Sequence, residues 1–219
     1  MTPDYERAAI KAAETLIKFG IVSAPVSPIP ILKKMPGVFL VSYEAMANDM
    51  GTDRRSMISI FSEKNQDAFT SVRRIGDKTQ YLITYNQRLP LFLVQRALSR
   101  ELGHIVLGHD GSRPEEVRNA EAICFANHLL CPRALINTLM QTGIKITKEV
   151  LGNLTGCYDH CLACMRLMPC VNVPAELNRQ IRDNFMPYIM NFFEFQRYAS
   201  INDGSEQVFF GTYMDGYKE

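Results

Sequence analysis

Apolar residues recur at helical spacing along most of this chain and gather into short strand-like runs over one stretch in its first half. Ala8, Ala12, Leu16 and Phe19 form one stripe, so residues 4–19 read as an amphipathic helix with Gly20 as its stop. Pro25, Pro28 and Pro30 forbid a helix across residues 21–30 and favour extended chain. Residues 31–35 read as a short helical turn, stopped by Pro36 and Gly37. Four strand candidates follow, at 38–43, 56–62, 67–74 and 80–86, with turn-forming residues at 64–66 and 76–78. Residues 48–55 fit a polar loop or a short helix equally well.

Helical periodicity dominates from Pro90, a residue suited to the first turn of a helix that runs to about Gly108. After a loop at 111–114, residues 115–130 read as the next helix, with Ala120, Cys124, Phe125 and Leu129 as its apolar side. Further helices are expected at 132–141, 147–154 and 158–168. Pro174 opens a long one to about Tyr198, carrying Leu177, Ile181, Phe185, Ile189 and Phe193 at a spacing of four. Residues 207–213 read as a strand or an aromatic-rich anchor. The expected fold is α+β: a small antiparallel sheet packed on the helix from Pro90 and its partner helix, followed by a helical C-terminal part. It divides at 168 into residues 1–168 and a long helix with its tail, 169–219.

Composition narrows the function. The 219 residues carry a net charge of +1, which makes no electrostatic case for nucleic acid or an anionic membrane. No apolar run approaches the roughly 20 residues of a membrane span. The first eleven residues are charged and polar, unlike a signal peptide. Six cysteines crowd after Cys124 in a chain too long to need stapling, and read as reduced thiols of a cytoplasmic protein. Cys157, Cys161 and Cys164 share a helix face with Cys170 just beyond, but their spacing matches no strong metal motif, and small thiols pack well.

The chemistry concentrates in Arg100-Glu101-Leu102-Gly103-His104. On a helix, positions three and four apart are neighbours, so Arg100, Glu101 and His104 cluster on one side. A zinc peptidase helix reads His-Glu-x-x-His: two histidines one turn apart bind the metal, and the glutamate acts as base toward metal-bound water. Here Arg100 stands at the first histidine's position. Guanidinium has no lone pair to donate and stays protonated, so it cannot replace an imidazole.

Residues 100–109, Arg-Glu-Leu-Gly-His-Ile-Val-Leu-Gly-His, and residues 121–132, Glu-Ala-Ile-Cys-Phe-Ala-Asn-His-Leu-Leu-Cys-Pro, together resemble the paired motifs of the ImmA/IrrE metallopeptidase family. The resemblance covers about residues 21–167. It implies a zincin-like fold, a zinc ion, Glu101 as general base, His104 as a zinc ligand and Glu121 as a further ligand from the following helix. It also implies a peptidase-like protein of a regulatory or mobile-element system such as a phage, acting on a protein partner such as a helix-turn-helix repressor.

Arg100 departs from that pattern, and the expectation is that its donors fill the metal's space and reach the Glu121 carboxylate. Two other histidines, and more weakly Asp110, could supply a lost ligand. His109 follows His104 by five residues and faces elsewhere unless the helix ends first. His128 lies two turns beyond Glu121 on the same side. With zinc absent or weakly bound, the reading is a pseudo-peptidase that binds a protein partner without cutting it. The alternative is an active zinc endopeptidase that cleaves a helix-turn-helix regulator.

Overall fold

In the computed structural model of this chain, the structure describes residues 1–61, 67–141, 147–156 and 171–201. The first helix, α1 (Tyr5–Lys18), starts where the Asp4 side chain accepts from the backbone N–H of Arg7. It buries Ala8, Ala9, Ala12, Ala13 and Leu16, an alanine-rich stripe that lets another helix come close.

The proline-rich stretch is less extended than expected. Pro28 takes the first helical position of α2 (Pro28–Lys34), and Pro30 still lies in the first turn, where a missing N–H costs nothing. Strand β1 (Val38–Ser42) follows, and Ser42 caps α3 (Tyr43–Asp49) by accepting from Ala45.

Residues 54–61 overturn a strand expectation, for they form α4 (Arg54–Phe61). Asp53 accepts from the backbone N–H groups of Arg55 and Ser56 and from the Ser56 hydroxyl, which starts a helix. The apolar residues at 57, 60 and 61 stand at helical spacing, and the cap starts the helix there.

Strands β2 (Ala68–Ile75) and β3 (Lys78–Tyr85) form a hairpin, and the sheet order is β1-β3-β2. The α+β class stands, with one difference inside the sheet. The β2–β3 pair is antiparallel, but β1 pairs parallel to β3, from Val38 opposite Tyr81 to Ser42 opposite Tyr85. A parallel pair needs a long connection. Here α3, α4 and β2 lie between the two strands.

The motif helix is α5 (Leu91–Val106), followed by α6 (Glu115–Leu130), α7 (Arg133–Gln141), α8 (Lys148–Thr155) and a long α9 (Ala175–Ile201). Helix α6 packs between α5 and α1, while α5 also meets β2, β3 and α2. Helix α9 packs on α1 and α7 through Ile181, Phe185, Ile189 and Phe192. Pro187 lies inside it and removes one backbone bond. The helix expected at 158–168, the cysteines at 157, 161, 164 and 170, the Phe193 side chain and the 207–213 segment lie outside the described residues. Among the described residues, no helix is long and apolar enough to cross a membrane.

Candidate active site

Gly103 lets the two motif helices touch. A Cβ there would lie 3.0 Å from the Phe125 ring and 3.1 Å from the Ala122 carbonyl oxygen. This contact brings His104, on α5, toward Glu121, on α6. Both elements leave little water around the site: Glu101 is 5% exposed and Glu121 0%.

Helix α5 ends at Val106 rather than Gly108, and its ending decides the site. Gly108 has φ +64°, in the left-handed region that favours glycine. Its N–H reaches the Ile105 carbonyl at 3.1 Å, and the His109 N–H reaches the His104 carbonyl at 3.0 Å. These two bonds make a Schellman ending. The turn swings His109 back against its own helix, so the condition under which it could join the cleft is met.

His109 bridges the two motif residues. Its Nδ1 lies 2.9 Å from His104 Nδ1, and its Nε2 lies 2.9 Å from Glu121 Oε2. The protons follow from the partners. A carboxylate only accepts, so Nε2 of His109 donates to Glu121, and its bare Nδ1 receives the N–H of His104 Nδ1. Arg113, from the loop before α6, places Nη1 2.9 Å from Oε2 and 2.8 Å from Oε1 of Glu121. The backbone N–H of Asp4 donates to Oε1 at 2.7 Å.

These contacts set the charges. Burial alone would raise the Glu121 carboxyl, but the Asp4 N–H, His109 and Arg113 outweigh it and hold the pKa below the ordinary value. Burial, then the neighbouring His109, Arg100 and Arg118, push His104 down to about 4. Burial also lowers His109, against the pull of Glu121. Both imidazoles are therefore neutral at pH 7.

Arg100 does not reach Glu121, which corrects the expectation for it. Its Nη2 donates to the Ala68 carbonyl at 3.0 Å, and its Nε and Nη2 reach Glu101 Oε1 at 3.2 and 3.0 Å. The other Glu101 oxygen accepts from the Thr70 hydroxyl at 2.8 Å, and the Thr70 backbone N–H also bonds this carboxylate. Burial nonetheless raises the Glu101 pKa, against Arg100 and Thr70. Asp67, not Ala68, accepts from Asn86 of the chain following β3, so Ala68 and Thr70 face away from β3. The Arg100 and Glu101 side chains thus satisfy the open edge of β2 where a further strand would pair. Arg100 turned to this edge because β2 offers a carbonyl close to its own helix, while Arg113 and His109 already satisfy Glu121.

The remaining sequence candidates fall elsewhere. His128 is buried beside Ala9, Ala13, Arg133 and Asn178, where α6 faces α1 and α9. Asp110 is exposed and accepts from the backbone N–H and hydroxyl of Ser112. Arg113, Thr70 and the Asp4 N–H are site groups that the sequence did not reveal. Arg113 sits in a stretch read only as a loop, and a backbone N–H has no sequence signature.

The match to known families now has a geometry to rest on. Residues 54–179 match the model of the IrrE N-terminal-like domain, more than half of the chain. The protein belongs to the ImmA/IrrE family. A comparison with curated proteins gives no match. The matched span holds Arg100, Glu101, His104, His109, Arg113 and Glu121, while α1 to α3 precede it.

The family implies zinc, and the donor set can be tested against it. A catalytic zinc takes three protein lone pairs directed at one point and leaves a place for water. Here His104 Nδ1 faces His109, His109 Nε2 faces Glu121, and both Glu121 oxygens carry N–H donors. Among the described residues, no group of three His, Cys, Asp or Glu side chains is disposed to hold an ion. The residues as arranged do not fit the metal.

Proposed function

We propose that this protein is a peptidase-like member of its family that binds a protein partner without cutting it, its cleft closed by its own side chains. The partner class that the family suggests is a helix-turn-helix repressor within a regulatory or mobile-element system. One observation carries the reading: the imidazole of His109 lies between His104 and Glu121, with Arg113 neutralising the carboxylate. Arg100 supports it, because a cation at the first-ligand position is pinned to Glu101 and Ala68.

The test is metal content by elemental mass spectrometry on protein purified without chelator, with Arg100→His alongside. The expected result is zinc far below one per chain in the unaltered protein. Stoichiometric zinc there would overturn the reading. Binding is tested by calorimetry against helix-turn-helix repressors, with intact repressor by mass as the expected endpoint.

Family membership, with Glu101, His104 and Glu121 all present, favours a second reading, an active zinc endopeptidase. In that case Glu101 is the base, and His104 and Glu121 serve as ligands once His109 swings away. Metal-dependent cleavage of a repressor, abolished by Glu101→Gln, would establish it.

A further inference from the structure

The donors on Glu121 come from two separate parts of the chain, the α5–α6 connection and the N-terminal segment. Asp4 donates its N–H to Oε1 at 2.7 Å. Arg113, on the same carboxylate, also reaches the Thr2 carbonyl at 3.4 Å and Met1 Sδ at 3.3 Å. Arg7 donates to the Leu107 carbonyl at 2.7 Å, within the turn that aims His109. Residues 1–7 are thus tied to both sides of the cleft, at the carboxylate and at the turn. Beneath them the side chains of His109 and Glu121 are 2% and 0% exposed.

We propose that residues 1–7 are a built-in latch, anchored on Glu121 and Arg113, that closes this cleft until the segment is lifted away. These residues precede the family-matched span, which starts at residue 54. The latch stands on the hydrogen bonds alone and does not depend on the metal-free reading. Any group that approaches Glu121 from that side must first displace the Asp4 N–H and the Arg113 contacts. The device is therefore an autoinhibitory contact, and its release would expose one carboxylate and one imidazole together.

The substitution Asp4→Pro tests it, because it removes the one N–H that meets Oε1. Proline already stands at the N-cap of α5 and of α6, so an N-cap can hold it, although Asp4 at φ −94° must shift toward the proline range. Because Asp4→Pro also loses the oxygen that accepts from Arg7, two controls are paired with it: Asp4→Asn keeps both the N–H and a capping oxygen, and Asp4→Ala keeps the N–H alone, so His109 should stay shielded in both. The readouts are hydrogen exchange of residues 1–7 and acylation of His109 by diethylpyrocarbonate, followed by peptide mass spectrometry. In the unaltered protein and in Asp4→Asn, the Asp4 amide should exchange about 100-fold or more slowly than in an unstructured peptide. His109 should resist the reagent in both. In Asp4→Pro, His109 acylation should rise about tenfold over that in Asp4→Ala, the order expected when a local contact opens.

Free exchange of the Asp4 amide in the unaltered protein would overturn the latch. So would an Asp4→Pro variant whose His109 stays shielded. If Asp4→Pro loses its circular dichroism, Arg113→Met takes its place under the same criteria, since it severs the ties to Met1, Thr2 and Glu121. Zinc measured on the same samples separates the two conclusions. Zinc with a protected Asp4 amide defeats the metal-free reading only, and no zinc with an unprotected amide defeats the latch only.

Discussion

Arg100 shows how a residue's own chemistry can be legible in the sequence while its partner is not. Its chemistry excludes it as a ligand. Its partner was decided by distance: the Ala68 carbonyl and the adjacent Glu101 lie within reach of its own helix, and Glu121 has other donors. Arg100 and Glu101 are 17% and 6% exposed as side chains, so each is costly to leave alone. Arg100→Met should destabilise the fold by about 1–3 kcal/mol, because a buried carboxylate loses its cation and Ala68 its donor. Glu101→Gln added to Arg100→Met should recover part of that loss, since a neutral amide no longer needs the cation. Urea unfolding of the two singles and the double measures the coupling, and strict additivity would show that the pair does not interact.

Two elements turn on their ends and surfaces rather than on their periodicity. Helix α4 has an apolar run short enough for a strand, but Asp53 supplies a cap, and the helix forms. Helix α5 continues on its pattern toward Gly108, yet it closes two residues earlier and turns His109 inward. The glycine at that turn was visible in the sequence; the direction it sends the next side chain depends on what waits across the gap. Gly103 belongs to the same scale, since it sets the separation of α5 and α6. Gly103→Ala should cost about 1–3 kcal/mol by overpacking against Phe125 and Ala122, despite alanine's better helix propensity. A thermal midpoint at or above that of the unaltered protein would contradict the close contact.

Across the whole molecule, the site couples folding to pH. His104 falls to about 4 in the folded chain, His109 is also lowered, and Glu121 is held below its ordinary value. Each folded pKa lies below its unfolded one, so each contribution is complete above the unfolded value and is lost as pH falls. Burial acts on Glu101 with the opposite sign: its raised pKa favours the folded chain at low pH and that benefit fades as pH rises through the folded value. His104 places a window from about pH 6.5 down to about 4, across which urea midpoints should drop, and His109 acts in the same direction. His104→Gln should flatten that slope, and a flat profile in the unaltered protein would refute the coupling.

The paired motifs, the α+β class and the departure at Arg100 were all written in residue types at short spacing, and local chemistry was enough to read them. Tertiary structure alone decided that Asp4, 117 positions from Glu121, bonds its carboxylate, and that Arg113 neutralises it. Helix propensity and hydrophobic period act between neighbours in sequence, whereas a carboxylate takes whichever donors the packing of distant elements brings within about 3 Å.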